Sequence, residues 1–191
     1  PGERRGQILQ ALASMLEQPG CERITTATLA RRLAVSEAAL YRHFASKAQM
    51  FEALIEFIEQ TIFSLINQIV LSEAGPDGNA GLQRAKRIVT VLIQFGEKNP
   101  GLARVMVGDA LVFENERLQQ RMNQFFDKVE SSLKQCLRDP VLHADSDAPV
   151  VRAQVQASVL SALLSGRLQR YVRTGFRRLP SEQLDLALVQ V

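Results

Sequence analysis

Apolar residues recur at three- and four-residue steps along almost the whole sequence, and no segment alternates between apolar and polar residues as a β-strand does. The longest apolar stripe runs from Phe51 to Ile69, after a Ser46–Gln49 opening with the pattern of a capping box. Glycine, proline and aspartate predict loops at 73–81 and 139–149. We therefore predict an all-α protein with three short helices, a long helix from residue 46, and further helices at 82–97, from 100, at 115–138, 150–176 and 184–189.

The 191-residue chain is long enough to bury a substantial core, and its charge is distributed unevenly. There are 23 Lys and Arg residues against 20 Asp and Glu residues, an excess of three. Residues 1–50 contain seven basic and four acidic residues, so the whole excess lies in this first segment. A basic segment suits binding to a polyanion such as DNA, although a solvated basic surface has the same composition.

Residues 25–47, TTATLARRLAVSEAALYRHFASK, contain two short helical segments joined by a tight connection at Ala34-Val35. Thr26 and Ser36 are suitable N-cap residues for these two helices. Six apolar residues are predicted to form a small core between them, namely Leu29, Ala30, Leu33, Val35, Leu40 and Phe44. A helix-turn-helix unit needs such a core, because its second helix must enter the major groove at a fixed angle. A helical hairpin in an unrelated bundle is the alternative interpretation.

The outer face of the second short helix is predicted to contact DNA. Its small and hydrogen-bonding side chains suit the base edges of the major groove, and these are Ser36, Glu37, Ala38, Ala39, Arg42 and His43. Side chains predicted to donate to phosphates are Thr25, Thr26, Thr28, Tyr41, His43 and Lys47. Lys47 also lies in the first turn of the long helix, whose backbone amides attract anions. Arg4 and Arg5 are expected to extend into a minor groove.

The segment LYRHFASK resembles the signature of the TetR family. The resemblance implies a TetR-like fold, with a DNA-binding domain at 1–46 and a helical dimerisation and partner-binding domain at 47–191. The segments ITTATLARRLAVSEAALYRHFASKAQMFEALIEFIE and FGEKNPGLARVMVGDALVFENERLQQRMNQFFDKVE are similar to nucleoid occlusion factors of this family. That similarity implies a cytoplasmic, nucleoid-associated dimer that binds double-stranded DNA at many pseudo-palindromic sites. It also implies that the DNA-bound dimer binds FtsZ, the tubulin-like division GTPase, and disrupts FtsZ polymers.

Phe57 lies off the apolar stripe of the long helix, roughly 120° from the centre of the stripe at 100° per residue. It therefore either packs beneath the neighbouring unit or stays partly exposed as an anchor for a partner. The family resemblance favours the anchor, because it implies an FtsZ-binding surface made of Phe57, Leu65, Val91, Gln94, Lys98 and Asn99. Leu65 stands where the family pattern has an arginine, and Gln94 stands where it has a glycine.

The last long helix carries two further features. Small residues that allow close helix–helix approach predict the main dimer interface, and these are Ser158, Ser161, Ala162, Ser165 and Gly166. Arginines cluster on or after this helix, at Arg167, Arg170, Arg173, Arg177 and Arg178. The arginines form either a second nucleic-acid surface or a solvated edge of the dimer interface.

Other classes of protein find little support in the sequence. No nucleophile–base arrangement, dinucleotide fingerprint or paired-carboxylate motif is present, so we expect no enzymatic activity and no cofactor. Cys21 and Cys136 are far apart, and neither His43 nor His143 has a partner at metal-ligand spacing, so we expect reduced thiols and no metal. No apolar run approaches the roughly twenty residues that span a bilayer.

A ligand-responsive repressor of the TetR type is the alternative function. Such a protein needs a pocket with polar groups that converge on a small molecule. The helices predicted after residue 82 offer mostly Leu, Val, Ile, Met and Phe, which argues against a ligand.

Overall fold

The structure, a computed structural model, describes residues 2–18, 23–72, 80–138 and 148–191. Within these ranges every regular element is helical, which confirms the predicted all-α class. The helices are α1 (Gly2–Leu16), α2 (Thr26–Arg32), α3 (Glu37–Tyr41), α4 (Lys47–Leu71), α5 (Ala80–Lys98), α6 (Pro100–Met106), α7 (Glu116–Leu137), α8 (Pro149–Arg173) and α9 (Leu184–Val189). A 3₁₀ turn at Asp109–Leu111 was not predicted. Most of the two predicted loops, at 73–79 and 139–147, lies outside the described residues, as do Cys21 and His143.

Two helix ends differ from the prediction. α5 begins at Ala80, so Gly81 is buried inside the helix and does not belong to the loop. α8 ends at Arg173, before the predicted end at Phe176, because Gly175 and Phe176 adopt left-handed φ values of 61° and 64°. The Phe176 N–H donates to the Tyr171 carbonyl (2.9 Å), which satisfies an orphan carbonyl of the last turn in the manner of a Schellman motif.

α4 is the central helix of the molecule. Its buried side chains are Met50, Phe51, Leu54, Ile55, Ile58, Ile62, Ile66 and Ile69. They are the residues of the predicted stripe except Leu65, which is half-buried, together with Met50, which the prediction did not include. By length and composition alone α4 also passes for a membrane-spanning helix, contrary to our prediction that no segment does. In the fold, its apolar stripe packs against α1, α5, α6 and α7 and forms the protein core.

Successive long helices run in opposite directions: α4 and α7 run away from the end of the body that carries α1–α3, and α5 and α8 run towards it. α7 runs beside α4 in the same direction, because Glu114 pairs with Lys47 at one end and Arg121 pairs with Glu59 further along. α5 and α8 run in the opposite direction. Arg84 donates to the Ser72 carbonyl at the far end of α4, and Tyr171 at the end of α8 donates to Glu97 at the end of α5. The C-terminal ends of α5 and α8 therefore lie at the end of the body that faces α1–α3.

α6 joins the first helices to the body through a close approach to α1. A Cβ atom added at Gly101 would lie 2.1 Å from the Ala13 carbonyl oxygen, so the crossing requires glycine at this position. The Arg104 guanidinium also donates to the Leu16 carbonyl at the end of α1 (3.1 Å). These contacts fix the position of the first helices on the body.

Candidate nucleic-acid interface

α2 and α3 form a helix-turn-helix with a well-capped first helix. The Thr25 hydroxyl accepts from the Thr28 N–H, and the Thr28 hydroxyl accepts from the Thr25 N–H, both at 3.1 Å. The cap is therefore Thr25, one residue before the predicted Thr26. Ala34 adopts a left-handed φ of 54° in the turn, and the next N–H, of Val35, donates to the Ala30 carbonyl (3.0 Å). This hydrogen bond closes the turn that sets the angle between the two helices.

α3 begins after Ser36, as predicted, and the Ser36 hydroxyl accepts from the Ala39 N–H (3.3 Å). The inner face of the unit is formed by the predicted core residues, of which Leu29, Ala30, Leu40 and Phe44 are buried and Leu33 and Val35 are half-buried. The opposite face carries the predicted DNA contacts. Exposed there are Ser36, Glu37, Ala38, Tyr41 and Arg42, whereas Ala39 and His43 are half-buried. The surface predicted to read bases is thus open to a major groove.

Two of the predicted DNA contacts bind each other in the free protein. The Thr26 hydroxyl donates to the Glu37 carboxylate (2.6 Å), and this bond ties the start of α2 to the start of α3. The Thr28 hydroxyl also has a partner within the protein, because it donates to the Thr25 carbonyl (2.8 Å). These hydroxyls must therefore exchange a local partner if they donate to phosphate.

Arg4 and Arg5 lie within α1 and do not form the extended arm that we expected. The Arg5 guanidinium donates to the His43 carbonyl (2.6 Å) and lies 4.1 Å from the centre of the Phe44 ring. Arg4 donates to Gln7 one turn further along the same helix. Because both residues are helical, their backbones cannot form an extended arm. The Arg5 side chain instead joins α1 to the residues that follow α3.

Lys47 lies at the start of α4, as predicted, but its ammonium group has a protein partner. Its Nζ atom is 2.5 Å from a carboxylate oxygen of Glu114, in the loop before α7. Both side chains are largely buried, with 19% and 11% of their surfaces exposed. Sequence spacing gave no sign of this pair, because the two residues are 67 positions apart.

α8 presents an apolar face that no other part of the described structure covers, and this face differs in part from the predicted dimer residues. Of those, Ser158, Ala162 and Gly166 are exposed, Ser165 is half-buried and Ser161 is buried. Ser161 therefore points into the protomer and is not on the exposed face. The prediction missed the valines that dominate this face, namely Val151, Val155 and Val159. Their spacing of four residues was a visible signal, since positions i and i+4 share a helix face.

Comparison with known proteins agrees with the geometry of the first helices. Residues 8–54 match the family model described as bacterial regulatory proteins, tetR family. Residues 79–189 match a tetracyclin repressor-like C-terminal domain of the SlmA-like type. The chain belongs to the TetR family. This is a family of DNA-binding regulators, and it accounts for the helix-turn-helix and for the helical body behind it.

Relatives are similar to the chain in sequence, and solved structures share its fold. It is 49% identical to the nucleoid occlusion factor SlmA of Vibrio cholerae over 95% of this chain and 90% of that protein. It is 48% identical, with the same coverage, to the SlmA protein of Idiomarina loihiensis. The fold is similar to FadR of Bacillus subtilis, solved with stearoyl-CoA, with a TM-score of 0.68 at 13% identity over 96% of this chain and 95% of FadR. A TetR/AcrR-type regulator of Thermobifida fusca also has a TM-score of 0.68, at 14% identity over 98% and 95% of the two chains.

Of the six residues that the TetR-family resemblance assigned to partner binding, five lie on α4 and α5, and Asn99 is the N-cap of α6. Phe57 is 52% exposed, which excludes the alternative that it packs beneath a neighbouring unit of the protomer. Of the others, Gln94 and Lys98 are exposed, while Leu65, Val91 and Asn99 are half-buried. Because α4 and α5 are antiparallel and Arg84 near the start of α5 donates to the Ser72 carbonyl at the end of α4, Phe57 and Asn99 both lie towards the opposite end of this helix pair. We call these six residues the α4–α5 surface.

A cavity of about 320 Å³ opens at the far end of the body, between α4, α5 and α7. It is lined by Val70, Gly81, Arg84, Gln135, Cys136 and Arg138. Cys136 is a free, half-buried thiol, as predicted, and burial raises its pKa. Within the described part of the chain, no group of three or more His, Cys, Asp or Glu side chains is placed to hold a metal ion.

Proposed function

We propose that this chain is a nucleoid occlusion factor that binds chromosomal sites as a dimer and, while bound there, antagonises FtsZ polymers over the nucleoid. The observation that carries the proposal is the presence of two exposed surfaces on one chain: the α3 face and the α4–α5 surface. Relatives with this role in their names share 48–49% identity over 95% of the chain, which supports it. The site of action is then the cytoplasm, on the nucleoid.

The DNA-binding step uses the α3 face. Ala38 and Ala39 let the α3 backbone approach the bases closely, and Arg42 supplies a cation beside them. Specific sites of such proteins are pseudo-palindromes, because two recognition helices related by a two-fold axis must enter successive major grooves roughly 34–36 Å apart. A dimer is therefore part of the proposal.

The dimer is proposed to form through α8 and α9. The exposed stripe of Val151, Val155, Ser158, Ala162 and Gly166 follows helical steps along α8. α9 runs back along α8, since Arg167 donates to the Glu182 carbonyl (2.7 Å) and Gln156 donates to the Val191 carbonyl (3.4 Å). Leu186 and Val189 on α9 are also exposed. Two protomers then bury these faces in a four-helix arrangement, in which small residues allow close packing.

The FtsZ-binding step uses the α4–α5 surface. Phe57 projects a largely exposed ring from α4, and a rigid aromatic side chain is a typical anchor at a protein interface. Lys98 adds an exposed cation towards the same end of the helix pair. Leu65 and Gln94 replace the arginine and glycine of the family pattern, so this surface relies more on apolar contact than on charge at position 65.

Sedimentation of FtsZ polymers tests the proposal. FtsZ is assembled with GTP, and this protein is added alone, with a chromosomal DNA fragment that it binds, and with a fragment of equal length that it does not bind. We expect loss of pelleted FtsZ that depends on the protein and increases with the bound fragment. Unchanged FtsZ polymer, with DNA binding verified in the same sample, would instead favour the ligand-responsive repressor.

A further inference from the structure

The end of α8 carries the densest positive charge in the body of the protein. Residues 167–178 contain five arginines and no acidic residue. Residues 51–191 as a whole contain sixteen basic and sixteen acidic residues, so this segment concentrates charge that is otherwise balanced. Such a concentration makes a local positive potential even though the body is neutral overall.

The chain after α8 is held in one conformation that groups these arginines. Phe176 adopts a left-handed φ of 64°, which is unfavourable for a bulky residue and persists only where the surroundings enforce it. Its ring packs against the Tyr171 ring with centroids 5.1 Å apart, and its N–H donates to the Tyr171 carbonyl. Arg177 and Arg178 are therefore fixed beside the last turn of α8, which carries Arg173.

Three of these arginines, Arg173, Arg177 and Arg178, have most of their hydrogen-bonding capacity unused, and we call them the arginine cluster. All three are exposed. Arg178 lies 3.9 Å from Glu182, but both side chains are more than half exposed, so the pair is weak. Arg177 uses only its Nε atom, which donates to the Thr174 carbonyl (3.0 Å). Among the described residues no carboxylate lies within ion-pair distance of Arg173 or Arg177.

The arginine cluster lies on the side of the body that faces the helix-turn-helix unit. The Tyr171 hydroxyl, one turn before Thr174, donates to the Glu97 carbonyl at the end of α5 (3.1 Å). α6, which follows α5, packs against both α1 and α8, so this end of α8 lies on the side of α1. In the proposed dimer formed through α8, the two clusters would then lie on the same side of the body as the two helix-turn-helix units.

We propose that the arginine cluster binds phosphates of the DNA segment between the two half-sites. This rests on the proposed DNA-binding dimer and adds to it a second, sequence-independent contact. Phosphate contacts of this kind release counterions, and each lost contact lowers the slope of log affinity against log salt by about 0.9. The cluster therefore contributes to affinity for any DNA and not to the choice of site.

The test uses the triple variant Arg173→Gln, Arg177→Gln, Arg178→Gln in the full chain. Fluorescence anisotropy measures binding to a specific fragment and to an unrelated fragment at several salt concentrations. We expect affinity for both fragments to fall by a similar factor, about tenfold at low salt, and the salt slope to become shallower by about 1 or more. The double variant Arg177→Gln, Arg178→Gln leaves α8 intact and should show a smaller change in the same direction. Sedimentation velocity verifies that both variants remain dimers.

The matched control is Arg87→Gln, Lys128→Gln, Arg138→Gln, which removes the same charge from exposed positions on α5, on α7 and at the C-cap of α7. Equal losses in the control and in the triple variant would overturn the proposal, since net charge alone would explain them. Unchanged binding by the triple variant would also overturn it. If the triple variant lost binding to phosphatidylglycerol vesicles while its DNA binding stayed intact, that result would also overturn the proposal and would assign the cluster to a membrane. Failure of the unmodified protein to bind any DNA would instead refute the proposed function itself.

Discussion

Lys47, at the start of the helix that follows the helix-turn-helix, forms an ion pair with Glu114, in the loop before α7. The pair therefore engages a residue that is predicted to contact DNA phosphate. A phosphate that approaches Lys47 must compete with the Glu114 carboxylate, because one ammonium group serves both anions. Glu114 therefore reduces the charge that Lys47 offers to DNA in the free protein.

Replacement of Glu114 by Gln is expected to tighten DNA binding. The neutral amide repels phosphate less and leaves the charge of Lys47 available, so affinity should rise by about 3- to 10-fold and the salt slope should steepen by up to about 1. Fluorescence anisotropy at several salt concentrations measures both quantities. Glu116→Gln, an exposed carboxylate two residues further on, is the matched control and should change neither. Weaker binding by Glu114→Gln would show that Glu114 positions Lys47 for DNA.

Replacement of Arg42 by Ala is expected to weaken binding to all DNA. Arg42 is exposed on the predicted DNA-binding face, so its loss should lower affinity by about tenfold or more and flatten the salt dependence. A filter-binding or anisotropy titration measures this. Arg138→Ala, at the far end of α7, is the control and should bind normally. Normal binding by Arg42→Ala would contradict the placement of the interface on α3.

The exposed face of α8 is expected to hold the dimer together. Val155→Glu puts a charge in the middle of the proposed interface, where desolvation should weaken dimerisation about 100-fold or more. Sedimentation velocity over a concentration series measures the change. Val150→Glu alters an equally exposed valine on the same helix that points roughly 120° away from the stripe, so it should remain dimeric. Dimers of Val155→Glu with undiminished stability would place the interface elsewhere.

Tyr171 is expected to make stability fall at alkaline pH. Burial first, and then Glu97 and Glu17, raise the pKa of this phenol above its ordinary value of about 10. Above that value the folded state keeps a proton that the unfolded state has lost. The free energy of unfolding therefore decreases as pH rises from about 10 towards the raised pKa. Thermal melts of Tyr171→Phe should lack this part of the alkaline loss.

Tyr41→Phe supplies the comparison for the melts, because Tyr41 is the other tyrosine of the chain and is exposed. Its melts should follow those of the unmodified protein at every pH. An identical alkaline loss in Tyr171→Phe and in Tyr41→Phe would mean that Tyr171 does not cause it.

Features that depend on local periodicity could be predicted from the sequence, whereas contacts between distant segments could not. The α4 stripe, the Ser36 cap and the position of Phe57 off that stripe all follow from residues within a few turns of one helix. The Lys47–Glu114 pair does not, because it joins positions 67 residues apart. Such pairs depend on how helices pack, and no local spacing encodes them.

Two errors have particular physical causes. The small residues of α8 suggested a close helix–helix contact, but small residues serve the core as well as an interface, and Ser161 faces the core. Arg4 and Arg5 were expected in an arm because they lie near the first residue. Helix formation from Gly2 and the contact of Arg5 with Phe44 hold both on α1 instead.

The measurement that tests the central claim most directly is sedimentation of FtsZ polymers with the DNA-bound protein carrying Phe57→Ala. Phe113→Ala, which removes another ring that is more than half exposed and lies outside the α4–α5 surface, is the matched control. Anisotropy verifies in the same samples that both variants bind DNA as the unmodified protein does. We predict that Phe57→Ala leaves FtsZ polymers intact while Phe113→Ala still disperses them. Dispersal of polymers by both variants would contradict the account.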